Sequence, residues 1–256
     1  MMKVSITTPT CNSAATVEDT IVSVIGQTYP VIEHIIADCG STDGTLELIQ
    51  RYPQRIETVI SKPDRGIYDG INRGLAAATG EIVGNLNADD IYADNLVIAT
   101  VVEAFRDPAI DCCWGDLVYV AKSNPQRAVR FWRSSAYREG LFELGWVPPH
   151  PTFFVRRSVL ERFGCYKIEF KIAADYELML RLLRRYRIRG QYIPKTLVKM
   201  RVGGAANRLG GIIRGHREWK QAWPTNKLRR PLTTPVWRLF RRIPQLAAGW
   251  FSRRQP

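Results

Sequence analysis

The sequence predicts an α/β fold: a mainly parallel, doubly wound sheet with helices on its faces. Three observations predict it. Strand and helix signals alternate through the first ninety residues. The strand segments are short, apolar and rich in Ile and Val. Each of them runs into Pro, Gly, Asn, Asp or Ser, the residues that end a strand and start a turn.

Taken in order, residues 3–8 alternate and are β-branched, and Pro9 is expected to stop them. Residues 14–27 carry Val17, Ile21, Val24 and Ile25 at helical spacing. Residues 31–38 form a second, Ile-rich strand. Gly40 to Gly44 is turn and cap chemistry, with a helix following through Tyr52. A third strand covers 56–61, a helix 68–79, and a fourth strand 81–86. Beyond Asp90 the pattern loosens: a helix over 93–105, strands over 110–121 and 128–132, and a proline-stiffened loop from Trp146 to Pro151. A strand at 152–156, a short helix at 158–163, an amphipathic helix at 173–186 and a strand at 191–200 complete the main body. Past Asn207 come basic amphipathic pieces broken at Pro224, Pro231, Pro235 and Pro244. No internal repeat is present.

The 256 residues, 45% of them hydrophobic, suffice for a real core and exclude wholesale disorder. No signal peptide is read at the N-terminus, and no apolar run is long enough to span a bilayer. The five cysteines are scattered without a CxxC, which fits a reduced cytosolic protein and argues against a zinc module. The net charge of +13 is segregated. From Arg181 onward there are 20 Lys and Arg and a single acid, Glu218. Such a basic end suggests a polyanionic partner, a nucleic acid or an anionic membrane surface, against the plainer reading of a solvated basic face.

The chemistry concentrates where the predicted strands end. The fourth strand runs into Asn87-Ala88-Asp89-Asp90. Two adjacent carboxylates at the carboxyl end of an apolar strand are costly unless a cation sits there, and that end is where open α/β sheets bind ligands. A divalent metal carrying a diphosphate answers both facts, since hard oxygen ligands suit Mg²⁺ or Mn²⁺. One Asp alone would read as a helix cap. The first strand runs into Pro9-Thr10-Cys11-Asn12, which by itself reads as a plain turn, though its backbone groups are free for a base or ribose. Asp38 ends the second strand and can accept from a nucleobase N–H or a ribose hydroxyl, whereas Asp43 reads as a cap. In Lys62 to Gly74, Asp64 and Asn72 are candidates for a nucleoside, and Arg65 and Arg73 for phosphate. Asp175 stands at the start of the amphipathic helix. It reads equally as a first-turn acid or as a general base. The absence of GxGxxG disfavours an ordinary dinucleotide site.

The succession TPTCN, IADCGSTDGT, KPDRGIYDGINRGLAAATGE, NLNADD, HPTFFVRRSVLERFG and AADYELMLRL resembles the family 2 glycosyltransferases, bacterial inverting enzymes of the GT-A fold. The likeness is closest to those building exopolysaccharides of the colanic acid type and mycobacterial glycolipids. It covers about residues 1–204, implying a catalytic domain with a nucleotide-sugar half (1–106) and an acceptor half (107–204), followed by a basic membrane-association segment (205–256). It implies a hexosyltransferase taking a nucleotide-diphosphate sugar, a UDP-sugar, as donor and using a divalent metal. Pro9, Asn12, Asp38, Asp64, Asn72 and Asn87 would face the nucleoside and ribose. Asp89, then Asp90, would hold the metal. Asp175 would be the base and His150 would lie near the entering acceptor. The implied acceptor is a lipid-linked glycan, at the cytoplasmic face of a bacterial plasma membrane. Trp219, Trp223, Trp237 and Trp250 among the C-terminal arginines suit an anionic headgroup region or, for some of them, packing on the catalytic domain, with nucleic acid the less favoured partner. The family often has Asp where Asn87 stands. The alternatives are a nucleic-acid-binding protein and a nucleotidyltransferase. The latter would show a Gly-rich basic phosphate loop near the N-terminus, which residues 8–15 lack.

Overall fold

The computed structural model describes residues 1–203 and 209–230. Its first half is the expected alternation: β1 (Val4–Thr10), α1 (Val17–Ile25), β2 (Ile32–Asp38), α2 (Thr45–Ile49), β3 (Thr58–Ser61), α3 (Ile67–Ala77) and β4 (Ile82–Asn85). The second half holds β5 (Asp90–Tyr92), α4 (Val97–Ala104), β6 (Cys112–Ala121), β7 (Asn124–Trp132), a 3-10 turn (His150–Thr152), β8 (Phe154–Arg156) and α5 (Arg157–Phe163). α6 (Ala174–Met179) then runs on as a π-helical turn over Leu180–Arg185, followed by β9 (Gly190–Arg201) and α7 (Leu209–Thr225).

One sheet carries everything, in the order β3-β2-β1-β4-β8-β6-β9-β5, with β7 on β6. β1 to β4 are mutually parallel, as strand–helix–strand units require. β8 enters antiparallel between β4 and β6, and β6 and β9 restore a parallel pair. Pro9 does not end β1, contrary to expectation. Thr7 bonds toward β4, since Leu86 N–H donates to its carbonyl at 3.0 Å, and Pro9 has the same parity. The β1–β4 pairing stops at Thr7↔Asn85, so the missing Pro9 N–H has no bond to make, while pairing with β2 continues to Thr10↔Asp38. The helix expected from residue 93 is likewise shortened. Residues 90–92 pair antiparallel with Val198–Met200 of β9, and α4 begins only at Val97.

The sheet is buried on both faces. On the α3 side, Ile35, Ile71 and Val83 join a core containing Trp114, Trp146, Phe153, Leu178, Leu182, Trp219 and Trp223. On the other side Ile6, Ile82, Leu86, Val101 and Phe154 form a second core, with Val17, Ile21, Ile36 and Ile49 beside it under α1 and α2. Gly84 lies opposite Phe154, whose ring would be 2.4 Å from any Cβ added there. Only glycine lets that ring lie across β4.

The basic C-terminal region is described over 209–230 only. There, Trp219 and Trp223 are 2% and 1% exposed, in the same core as the sheet, so they belong to packing and not to a headgroup region. Trp237 and Trp250, with the arginines beyond Arg230, lie outside the described residues. Among the described residues no helix is long and apolar enough to cross a membrane.

Candidate active site

The sheet order places a switch point at β1. The chain winds outward to β2 and β3, then returns to place β4 on the other side of β1. The crossovers diverge there and leave a crevice beyond the carboxyl ends of β1, β2 and β4. Asp38, the 11–12 turn and the 85–90 turn all lie at those ends.

The β1 and β2 turns are cross-tied. The parallel register Thr10↔Asp38 makes Cys11 and Cys39 the next facing pair, 5.1 Å apart at Cα, and they form a disulfide. This corrects the expectation of five reduced thiols: residues 28 apart in sequence are neighbours only because two strands end in register. Cys112, Cys113 and Cys165 are free. Asn12 adopts φ 48°, a left-handed conformation that Asn tolerates. Its N–H donates to Ser41 Oγ at 2.8 Å and its Oδ1 accepts from Thr42 N–H at 3.0 Å.

Asp38 is the hub of this corner. Its Oδ1 accepts from Thr10 Oγ1 and Ser41 Oγ, and its Oδ2 from Gly40 N–H, Ser41 N–H and Ser61 Oγ, at 2.5–3.0 Å. Burial alone would raise its pKa, but these donors hold it below the usual value. The carboxylate therefore organises the loop from the protein side. Asp64 caps Gly66 N–H at 2.8 Å. Asp64, Pro9 and the Ala37 carbonyl all close around Gly70, within 3.3–3.8 Å of where a Cβ would stand. Pro9 and Asp64 thus share one wall. Arg73 does not point into open space: it bonds the Lys62 and Pro63 carbonyls and pairs with Asp69 at 2.9 Å, while Arg65 pairs with Asp69 at 3.2 Å.

At the end of β4, Asn85 Nδ2 donates to Asn87 Oδ1, and Asn87 Nδ2 donates to Asp90 Oδ2, both at 3.0 Å. This relay explains the amide at 87: an Asp there would face Asp90 acid to acid. Asp90 is fully buried, and its Oδ1 has no hydrogen-bond partner among the described residues. Burial and the neighbouring Asp89 charge push its pKa well up. Asp89 is half-buried. Burial raises its pKa against the pull of Arg201 and Lys122. Arg201, from β9, donates to the Asp89 carbonyl at 2.9 Å and pairs with Asp19. An orphaned buried carboxylate oxygen beside a second carboxylate fits a hard divalent cation. Among the described residues no group of three or more such side chains assembles, so the rest of an oxygen shell would come from a diphosphate.

The other predicted residues meet across α3 and α6. Asp175 Oδ1 accepts from Tyr176 N–H at 2.8 Å and lies 3.2 Å from the Tyr68 hydroxyl. That hydroxyl also lies 2.9 Å from the Ile172 carbonyl. Burial, then the Asp175 charge, raises the Tyr68 pKa well above its ordinary value, so the phenol stays neutral. Tyr68 stacks on Tyr166 with centroids 5.6 Å apart, and the Tyr166 hydroxyl lies 2.7 Å from His150 Nε2. Burial lowers the His150 pKa against the opposing Asp175 charge, which favours neutral imidazole. Asn72, expected at the nucleoside, spends its amide on Tyr166: Nδ2 donates to the carbonyl at 2.7 Å and Oδ1 accepts from N–H at 3.0 Å. Asn85 and Tyr166 line one small void with Phe153, so the two halves of the constellation adjoin. Sequence reasoning missed Tyr68 and Tyr166. The signal for Tyr68 was its place in the first turn of a helix between two glycines of one motif, Gly66-Ile67-Tyr68-Asp69-Gly70.

Comparison with known proteins bears on family and fold. Residues 5–164 match the model of Glycosyl transferase family 2. A PGL/p-HBAD biosynthesis glycosyltransferase of Mycobacterium bovis is 31% identical over 188 residues, covering 69% of this chain and 68% of its own. Staphylococcus aureus TarS (residues 1–349), solved in complex with UDP, superposes with a TM-score of 0.67 at 18% identity, over 100% of this chain and 76% of that one. A mannosyltransferase from Pyrobaculum calidifontis, solved with GDP-Man and Mn²⁺, gives 0.64 at 20% identity, over 98% and 74%. The GT-A neighbours share the fold. With the family model covering well over half of the sequence, the chain belongs to glycosyl transferase family 2.

Proposed function

We propose that this glycosyltransferase moves a hexosyl group from a UDP-sugar, with inversion, to a hydroxyl of a lipid-linked glycan in surface polysaccharide or glycolipid synthesis. One observation carries the reading: a half-buried carboxylate, Asp175, is held by Tyr68 and the first turn of α6, in the half of the constellation that adjoins the Asn85–Asp90 turn. Asp175 would take the proton of the acceptor hydroxyl as its oxygen attacks the anomeric carbon. The Cys11–Cys39 corner, Pro9, Asn12 and Asp64 would hold the nucleoside, with Asp38 shaping that corner. Asn87 would face ribose. Asp89, backed by Asp90, would hold a Mg²⁺ or Mn²⁺ ion, which when bound offsets charge on the departing diphosphate. His150 would border the acceptor entrance.

A screen of UDP-glucose, UDP-N-acetylglucosamine and GDP-mannose, with Mg²⁺, Mn²⁺ or EDTA, tests the donor and metal. Asp175→Asn should abolish turnover and keep donor affinity. Turnover near the wild-type rate in that variant would sink the base assignment.

We further propose that residues 1–204 form the catalytic domain and that 205–256, whose α7 also packs into that domain's core through Trp219 and Trp223, bring it to the inner face of a bacterial plasma membrane. Supporting this, Ile212 and Ile213 on α7 are 56% and 59% exposed in a segment that also carries Arg217 and Lys220. Sedimentation with anionic and with zwitterionic liposomes, beside an oligonucleotide-binding titration, separates this from a nucleic-acid partner.

A further inference from the structure

The single acid of the basic C-terminal region does not face solvent. Glu218, on α7, is 6% exposed and its carboxylate is filled by backbone. Oε1 accepts from Lys171 N–H at 2.9 Å, and Oε2 accepts from Ile172 N–H at 2.8 Å and Ala173 N–H at 3.0 Å. Arg214 Nε also donates to Oε1 at 3.0 Å, from a side chain 58% exposed. Three consecutive amides converge on one carboxylate, and two residues after the last of them stands Asp175.

A buried carboxylate is costly unless its oxygens are satisfied, so this group is placed only where the 171–173 backbone holds one geometry. The same short segment is gripped from its other side. The Ile172 carbonyl lies 2.9 Å from the Tyr68 hydroxyl, which reaches Asp175, and Lys171 Nζ donates to the Arg65 carbonyl at 3.0 Å. Gly215 lets α7 close on Ile172, whose Cγ2 would stand 3.0 Å from any Cβ there. The height and direction of Asp175 are thus set between α3 and α7.

We infer that Glu218 is a positioning residue for Asp175, through which α7 forms part of the reaction machinery and not only a basic appendage. This rests on the base role proposed above for Asp175. Glu218→Gln replaces one acceptor oxygen by an N–H₂ group facing backbone donors, so the 171–173 segment must shift. A displacement on the order of 1 Å at a reacting group lowers turnover by about 10- to 100-fold.

The test uses the full chain and the sugar nucleotide that wild type hydrolyses most rapidly among UDP-glucose, UDP-N-acetylglucosamine and GDP-mannose, read as released nucleoside diphosphate. Glu218→Gln is expected to lower kcat by at least about tenfold while KM for the donor and the calorimetric donor Kd stay within about twofold. Arg214→Gln, which leaves the three amide bonds in place, is expected to keep kcat within about threefold of wild type. Should Glu218→Gln unfold the protein, Glu218→Asp withdraws the carboxylate by one methylene, and the same kcat-specific loss is expected there. A folded Glu218 variant with wild-type kcat overturns the inference, as does a loss confined to KM. Asp175→Asn runs in parallel. If it is inactive while the Glu218 variants turn over normally, the base role stands and the positioning role falls. If Asp175→Asn itself turns over normally, both fall.

Discussion

His34 gives the structure a defined acid sensitivity. It lies in the middle of β2, 2% exposed, with Nε2 2.9 Å from Thr8 Oγ1 and Nδ1 without a partner among the described residues. Burial lowers its pKa to about 4. An unfolded imidazole titrates at about 6.5, so between the two values the unfolded chain binds more protons and stability falls as the pH falls. Weighing the two titrations gives a loss of about 2 kcal/mol at pH 5 relative to pH 8, and about 3 kcal/mol at pH 4. His34→Gln keeps a hydrogen-bonding partner for Thr8 but removes the titration. Its own packing cost is the same at every pH and cancels in the comparison. Urea unfolding of both proteins at pH 8 and pH 5, with m-values checked for equality, supplies the four free energies. The stability difference between wild type and variant should shift by about 2 kcal/mol in the variant's favour on acidification. A shift below about 0.5 kcal/mol would mean that the imidazole is hydrated or charged in the folded state, and the burial argument would be wrong.

The other predictions concern the sheet and the two turns. Replacing Cys11 and Cys39 together by Ser should cost about 3.5 kcal/mol, from the chain entropy released to a loop of this size, read as a lowered urea midpoint. An unchanged midpoint under non-reducing conditions would mean that the bond does not form in solution. Gly84→Val should cost about 3 kcal/mol or more, because Phe154 cannot leave the ring position it holds across β4. Thermal unfolding checks it, and a change under about 1 kcal/mol would contradict the close approach. Asn87→Asp puts a second acid against Asp90. Both carboxyls should then titrate above their unfolded values. The variant's stability relative to wild type should fall by about 1–2 kcal/mol as the pH rises from 4 to 7, and added Mg²⁺ should restore part of it. Trp219→Ala should cost about 3–5 kcal/mol by emptying a core site, whereas a headgroup Trp would cost almost nothing in the absence of membrane.

The parallel half of the sheet was legible because its signals are local. Ile35, Ile36 and Val83 announce buried strands, and Gly44 and Gly66 announce the turns into α2 and α3. The acids at strand ends were legible for the same reason: a carboxylate after an apolar run needs an explanation wherever it stands. What escaped depends on pairings between distant residues. β5 exists because Asp90 faces Met200, and no window of sequence holds both. The disulfide follows from register. Asp38 was visible as a candidate ligand, yet its five donors come from both sides of the turn and from β3, so its part in shaping the loop emerges only in three dimensions. Asn72 shows the same limit from the other side. A polar residue in a motif suggested nucleoside contact, while its amide is spent on the Tyr166 backbone, 94 positions away. Glu218 stood out as the lone acid among cations, but charge counting alone does not say which backbone it would hold.

The Cys11–Cys39 bond has a thermodynamic meaning for a small flexible guest. A nucleoside that enters two separate loops must freeze both, and each ordered segment subtracts from affinity. Here the β1 and β2 turns are joined covalently and latched again through Asn12, Ser41 and Asp38 before any guest arrives. That wall of the crevice is a fixed template. On the proposed assignment, with the nucleoside in this corner and the acceptor near His150, adaptation to different sugars and acceptors would fall to the less constrained residues around His150. Reduction of the Cys11–Cys39 bond would free the two turns to move independently and, on that assignment, weaken the grip on a nucleoside.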